Sequence, residues 1–532
     1  MQKFNFHRND VQLFGQNHLD LVYNQLELSA FIQQPFSLDA FGSQIEQKAQ
    51  NYTTAKRTAL VKALKKQYNQ VQNNENPLRL IESLNDENTF TVTTGHQLSL
   101  FTGPLYFVIK IIQAIKQAEV LNAKFSDKRF VPVYWMATED HDFEEIQKVN
   151  LFSDELTWES IQKGPVGRFD LDGLDEVKKR ISELYQNHPD SEIHNVVKAY
   201  DGNNFTEATR NLVHFLFADY DLVIIDGDDP ILKKEFAAIM QRELETGFSF
   251  EAVNSTNEAL ESIGGKVQIH AREINLFYIE KGLRSRIEHK EDDYFIDGKG
   301  HFKKDTLLRL LETNPECFSP NVVLRPVYQE TILPNLAYIS GGGEIAYWLQ
   351  LKGVFDAAKI VYPMIVVRNS MLIIDTNTYK KIDNTLSKLS DVFEPIDVLK
   401  RNYVEANAGE ELNFDALDNA LHQLVELVVE QITQVDPAMD KFAAAEIVRL
   451  NKQIESIKDK LVKRSKGKHD AAMKQIEQIK ERLFPNGNLQ ERTSNFFSFC
   501  PDGMYSGLLK ELFDAIEPSE KDFIVLIENE KT

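Results

Sequence analysis

Cysteine is nearly absent, with Cys317 and Cys500 the only two in 532 residues. That excludes a disulfide framework and a cysteine-rich zinc site, and each thiol reads first as a small buried hydrophobe. No apolar run reaches the roughly 18 residues that a membrane-spanning helix needs. The opening MQKFNFHRND holds no apolar signal core, so the cytoplasm is the expected compartment. Basic residues are in the minority, 60 Lys and Arg against 81 Asp and Glu, for a net charge of −21. Nucleic acids and anionic membranes bind clustered Lys and Arg, so neither is an expected partner. A small anion held by a few local residues is not excluded. The HExxH signature and the Gly-Lys-Ser/Thr of a phosphate-binding loop are missing as well.

What is present is globular in character, 42% hydrophobic and 27% charged, at a length that calls for several domains or one domain with large insertions. Residues 1–88 read as polar helices with no strand signal. At TFTVTTGHQ (89–97) β-branched residues run into a glycine turn, and GPLYFVIKIIQAIKQAEVL follows with Pro104 at a helix start. FVPVYWMA is then a buried strand. A strand–turn–helix–strand unit of about 45 residues signals a parallel α/β sheet. DLVIID (221–226), NLAYIS (335–340) and PMIVV (363–367) extend it, making 89–375 the core, with insertions at about 150–205 and 245–320. KVQIHAREINLFYIEKGLRSRIEH alternates like a small antiparallel sheet turning at Lys281–Gly282.

From 376 to 484 the pattern is helical. Leu417, Leu421, Leu424, Val428 and Ile432 recur at threes and fours. Ile447, Leu450, Ile454, Ile457 and Leu461 hold a seven-residue repeat that Ala472, Ile476, Ile479 and Leu483 continue. Two helices folded back as a coiled coil are expected. Residues 485–532 break the helix at LFPNGNLQER and end in DFIVLIE (522–528), a strand expected to rejoin the core sheet. Gln490 and Arg492 either line a second ligand site or lock the coil to the core.

Four stretches carry chemistry. VTTGHQLSLFTGP (92–104) joins a strand to a helix at the carboxyl edge of the sheet, where free N–H groups favour an anion. Thr94, Gly95, His96, Gln97 and Gly103 are its candidate binding residues. SGGGEIAYW (340–348) formally fits a dinucleotide fingerprint through Gly341, Gly343 and Ala346. The next strand ends in Arg368–Asn369–Ser370 with no acid to hold a ribose, so no nicotinamide cofactor is expected. Gly341, Gly342 and Gly343 still allow a ligand close to the backbone. VYWMATEDHDFEEI (133–146) runs a strand containing Trp135 into Glu139, Asp140, His141 and Asp142. With no second histidine at ligand spacing, zinc is not expected, although an oxygen-ligated magnesium stays open. The other reading is an amine held by charge or deprotonated there. Glu144 and Glu145 read as the first turn of a helix. RPVYQETILPNLAYISGGGEIAYW places Arg325, Tyr328, Gln329 and Glu330 before a strand, with Arg325 a candidate carboxylate clamp.

Taken in order, TTGHQLSLFTGPLYFVIK, VYWMATEDHDFEEI, RPVYQETILPNLAYISGGGEIAYW, VVRNS and LFPNGNLQER resemble the bacillithiol biosynthesis cysteine-adding enzyme (BshC) family over nearly the full length. One departure is His96, where the family usually has Gln. The resemblance implies a Rossmann-like core with connecting-peptide insertions and a long helical coiled coil that forms a homodimer. It also implies a ligase joining L-cysteine to the amine of glucosaminyl malate. A carboxylate is a poor electrophile, so ATP, with or without magnesium, is the expected activator, its phosphates near the helix starting at Pro104. Glu139, Asp140 or Asp142 would then hold an ammonium, and His141 would accept the amine proton. Arg325 and Arg368 would take the malate carboxylates, with Tyr328, Gln329, Glu344 and Tyr347 as pocket walls. A metal-assisted hydrolase or phosphotransferase, or a scaffold without catalysis, are the alternatives.

Overall fold

The structure, a computed structural model, describes residues 1–529 apart from 24–25, 153, 292, 408–412, 437–438 and 467–468. Five parallel strands lie side by side in the order Met364–Val367, Asn335–Ser340, Thr89–His96, Arg129–Met136 and Val223–Asp226. The strand Thr89–His96 comes first in the chain, and the sheet winds outward from it in both directions. The winding therefore reverses between Thr89–His96 and Asn335–Ser340. In doubly wound sheets ligands bind beyond the carboxyl ends of the strands at such a reversal.

The strands form where the sequence is continuously apolar, because helices cover both faces of a parallel sheet. In Arg129–Met136 every residue but the first is buried. The helix Tyr106–Lys124 crosses between the first two strands and buries Phe107, Ile111 and Leu121 among others. The first insertion contributes the hairpin Lys148–Leu151 with Asp154–Thr157. The second contributes antiparallel strands Leu276–Glu280 and Leu283–Lys290, which turn at Lys281–Gly282 with Gly282 at φ +79°.

A second, three-stranded sheet changes two expectations. Gln2–Phe6 pairs antiparallel with Phe523–Ile527, which runs parallel to Ser370–Ile374. The last strand thus does not rejoin the core sheet, and the first residues, read as helical, are a strand. QKFNF is five residues long and its partner is far along the chain, so no local pattern announced it. Ser370–Ile374 pairs in this sheet too, which moves the end of the core back to about residue 368.

LFPNGNLQER locks the returning coil in place. Ile373 N donates to Gln490 Oε1 at 2.9 Å, and Gln490 Nε2 donates back to Ile373 O at 3.0 Å. Glu491 accepts from Arg368 Nη2 at 2.6 Å, Ser370 Oγ at 2.5 Å and Met371 N at 2.8 Å, and is fully buried. Between these anchors the helices Asp415–Val435 and Asp440–Lys466 pack along each other. Leu427, Val435, Phe442 and Val448 on them remain 52–77% exposed. Among the described residues no helix is long and apolar enough to cross a membrane.

Glu491→Ala leaves the buried Arg368 guanidinium without its carboxylate, and breaking such a pair costs about 3–5 kcal/mol. Urea unfolding should register that loss, and a change below about 1 kcal/mol would contradict the role given to the pair.

Candidate active site at the sheet reversal

The two glycine turns meet where the winding reverses. Thr94 sits opposite Ile339 in the sheet and donates its Oγ1 to Ile339 O at 3.0 Å. A Cβ at Gly95 would lie 2.8 Å from Tyr338 Oη, so only glycine admits this closeness. Lys110, 2% exposed on the first crossing helix, donates to Gly95 O at 2.5 Å and to Glu344 Oε2 at 2.6 Å. Glu344 also accepts from Gly341 N at 2.8 Å, Tyr338 Oη at 2.7 Å and Tyr347 Oη at 3.4 Å. Burial pushes the Glu344 carboxyl up, but Lys110 and these donors outweigh it and hold it below the usual range. Its charge is cancelled inside the protein, so it does not repel an anion at the helix Gly342–Gln350 that it caps.

Around that helix start stand buried donors without acceptors. Arg368, 3% exposed, leaves its Nε without a partner. His18, 5% exposed, has its Nε2 at 2.6 Å from Arg8 Nη1. A guanidinium only donates, so the neutral ring carries its proton on Nδ1, which has no partner. Burial, then Arg8, Arg368 and Arg492, hold the His18 pKa far below the ordinary value, so the ring is neutral. Arg325 Nη2, on a guanidinium that lies over the Tyr338 ring, is a further buried donor without an acceptor. Gly342 lets these groups approach: a Cβ there would lie 2.9 Å from His18 Nδ1 and 3.1 Å from Arg492 Nη2. At Gly341 it would lie 3.5 Å from Arg368 Nε. Arg8, Lys110, Arg325, Arg368 and Arg492 thus bring five cations to this edge, where Lys110 pairs with Glu344 and Arg368 with Glu491. Unsatisfied buried donors beside a helix N-terminus suit a carboxylate or phosphate.

The helix start at Pro104, expected to face phosphates, is covered instead. Leu105 N donates to Ser494 O at 2.8 Å, and the buried Asn495 donates its Nδ2 to Gly103 O at 2.5 Å. The anion-ready helix is the second one, at Gly342.

The acidic loop divides. Glu139 faces inward to the fully buried Lys233, which also donates to Phe318 O at 2.6 Å and lies 3.5 Å from Asp228. Arg168 grips Asp228 with two bonds, at 2.7 and 2.8 Å. The ammonium that Glu139 was expected to take from a substrate is supplied by the chain. Asp140 instead accepts from Gln97 Nε2 at 2.9 Å and from His141 N at 2.7 Å. Burial raises its pKa, yet bonds from His141 and Gln97 and the Arg284 charge win and hold it well below the carboxylate range. His141 is half exposed, with Arg284 Nη1 at 2.7 Å from its Nδ1. Asp142 is exposed at the start of the short helix Phe143–Ile146. Glu145, read only as a helix-turn residue, accepts from Gln97 Nε2 at 2.9 Å and so belongs to the site's rim. Among the described residues no three His, Cys, Asp or Glu side chains converge as metal ligands. Glu139 and Asp140 turn to different partners.

Four expected binding residues are buried in structural contacts. Tyr328 donates its hydroxyl to Gly227 O at 2.6 Å and meets Trp135 edge-on at 5.5 Å. Gln329 bonds to Glu330, and Asn369 to Gln113 and Glu520. None of the four is more than 2% exposed, so they support the site rather than line it. The residues missed from the sequence are Arg8, His18, Lys110, Arg284 and Tyr338. Lys110 alone left a signal, a single lysine inside the apolar run YFVIKIIQAI. Two strands away from the reversal, a cavity of about 1360 Å³ opens beside Asp226, Asp228, Arg168 and Lys66. Burial and Asp228 push the Asp226 carboxyl up to about 6.

A doubly wound sheet with a cation-lined glycine turn at its reversal makes this a Rossmann-like α/β protein. Comparison with known families then places the chain. The model described as "Bacillithiol biosynthesis BshC, N-terminal Rossmann-like domain" matches residues 8–369, and that of the C-terminal coiled-coil domain matches 371–528. The chain belongs to the BshC family. A relative from Flavobacterium johnsoniae is 40% identical over 525 residues, 95% of this chain and 96% of its own. Others from Cytophaga hutchinsonii and Flavobacterium psychrophilum are 36% and 37% identical, covering 96% and 92% of this chain and 96% and 93% of theirs. All three carry the name "Putative cysteine ligase BshC".

Burial lowers the His96 pKa to about 4, with Lys110 adding to the effect. The unfolded chain, with an ordinary histidine near 6.5, takes up a proton first as pH falls. This contribution to stability is therefore complete above pH 6.5 and is lost toward pH 4. Between pH 6.5 and 5 it amounts to about 2 kcal/mol. Urea unfolding at the two pH values should show that much less pH dependence in His96→Gln than in the parent chain. Equal slopes would contradict the neutral, buried ring.

Proposed function

We propose that the protein is the ligase that joins the carboxyl group of L-cysteine to the amine of glucosaminyl malate, the last step in making bacillithiol, in the cytoplasm. The observation that carries this reading is the pair of buried donors without acceptors beside Gly341 and Gly342, Arg368 Nε and His18 Nδ1, with Arg325 Nη2 a further one by the Tyr338 ring, in a protein whose net charge is −21. The malate carboxylates supply the acceptors, held by Arg325 and Arg368 with Arg492 at the rim. Asp140 and Asp142, on the neighbouring strand end, attract the ammonium of a substrate. Glu344 and Tyr347 shape the floor between the two, and the buried Thr94, Gly95, Lys110 and Tyr338 support it.

ATP is the proposed activator. A carboxylate is a poor electrophile, and ATP would supply a leaving group on the cysteine carboxyl; the chain's own residues bind, orient and exclude water. The exposed apolar residues Leu427, Val435, Phe442 and Val448 are proposed as the face on which two copies join through their coiled coils.

Incubating the protein with cysteine, glucosaminyl malate and ATP should give the thiol product by mass, with release of AMP or ADP that needs both substrates. No product and no nucleotide cleavage would sink the reading. Arg325→Ala should raise KM for glucosaminyl malate about tenfold or more, the value of one charge-assisted hydrogen bond. Replacing Phe442 and Val448 together with Glu should convert the dimer to monomer in sedimentation; a monomeric parent chain would reject that face.

A further inference from the structure

We propose that the two histidines of the site are held in opposite neutral tautomers, His141 with its proton on Nε2 and His96 with its proton on Nδ1, and that Arg284 and Gln97 are the positioning residues responsible. The tautomers follow from geometry alone. Only the assignment of substrate groups to them rests on the ligase reading.

Arg284 Nη1 lies 2.7 Å from His141 Nδ1. A guanidinium keeps its proton and has no acceptor, so Nδ1 must receive the hydrogen bond. The neutral ring then carries its proton on Nε2. Asp140 Oδ1 is 3.5 Å from the same nitrogen, at the long limit of a hydrogen bond, and the 2.7 Å contact from Arg284 prevails. Arg284 is fixed by stacking 3.9 Å above the Phe277 ring, on the adjacent strand of the second insertion. The His141 ring leans on the same phenyl group at 5.9 Å.

His96 is set the other way. Its Nδ1 is 2.8 Å from Gln97 O, and a carbonyl only accepts, so Nδ1 holds the proton. Nε2 is left as a buried lone pair with no partner. The rings of Tyr106 and Phe107, each with its centroid 5.1 Å away, keep the imidazole from turning. Gln97 joins the two halves, because its side chain donates to Asp140 Oδ2 at 2.9 Å. A continuous run His96–Gln97–Asp140–His141–Arg284 therefore crosses the ends of the two central strands.

The consequence reverses an expectation. With Nδ1 occupied by Arg284 and a proton on Nε2, His141 has no lone pair with which to accept a proton from an amine. It offers an N–H, suited to a carboxylate or to a carbonyl oxygen gaining charge as an amide forms. His96 offers the acceptor, suited to an N–H of the attacking amine. One histidine reads oxygen and the other reads an N–H, and their order fixes which way round the reacting groups lie.

Two-dimensional NMR of the full-length chain labelled with 15N in its imidazoles distinguishes the tautomers directly. His96 and His141 are assigned from single replacements, at a pH where both are neutral. The expected pattern is an Nε2-protonated His141 and an Nδ1-protonated His96. The reverse at either ring, or an averaged signal, overturns the proposal. Arg284→Met should turn His141 into a tautomer mixture; an unchanged signal removes Arg284 from its role. In turnover, His141→Gln, whose amide reaches the Nε2 position, should exceed His141→Asn by tenfold or more, and His96→Gln should retain what His96→Ala loses. The opposite orders overturn the assignment of groups. A parent chain without turnover refutes the ligase reading but leaves the NMR test standing.

Discussion

The architecture depends on one buried ion pair, Arg368 with Glu491. Arg368 follows the last strand of the core sheet, and its backbone N–H donates to Ser340 O at 2.9 Å, the end of the neighbouring strand. Its carbonyl accepts from Arg8 Nη2 at 3.1 Å, and its side chain reaches Glu491 at 2.6 Å. A single residue thus ties the winding reversal to the first segment and to the turn where the coiled coil returns. An unpaired charge at this depth would cost several kcal/mol, so the three segments hold one another in register. The position of Arg368 Nε beside Gly341 is a by-product of that joint.

The same logic recurs across the carboxyl edge. Glu344 is neutralised by Lys110 and Glu139 by Lys233, so two carboxylates in the neighbourhood of the site are spoken for by the chain itself. What remains unsatisfied beside Gly341 and Gly342 is of one kind, the N–H groups of Arg368 and His18. A strongly acidic protein can hold an anion because burial lets local pairs decide, while the surface charge is screened within about 10 Å.

Much of the core was legible in the sequence because a parallel sheet buried on both faces leaves continuous apolar runs. DLVIID, NLAYIS and PMIVV announce themselves, and the glycine turns follow directly. The coil was legible through its seven-residue repeat. What stayed hidden depends on distant pairing. QKFNF has no local pattern, and its strand exists because of Phe523–Ile527. Arg8, His18 and Arg284 reach the site from segments that no spacing connects to it. The acidic loop misled in another way: carboxylates in a row suggested a patch open to ligand, yet Glu139 and Asp140 point to different neighbours, as successive residues at a strand end do. Sequence distance also hid Lys233, the ion that takes Glu139 out of play.

The pairing of Gln2–Phe6 with Phe523–Ile527 also fixes an order of events. At about 5–20 residues per second a ribosome needs roughly half a minute to two minutes between making one strand and making the other. The core sheet has all its strands by residue 367, so it can assemble early. The second sheet cannot, and closing a loop of this length carries the entropic cost that slows non-local pairing. Until Glu491 arrives, Arg368 is a lone guanidinium beside an unfinished site. The cradle at Gly342 is thus completed last, by the segments that join the two halves of the molecule.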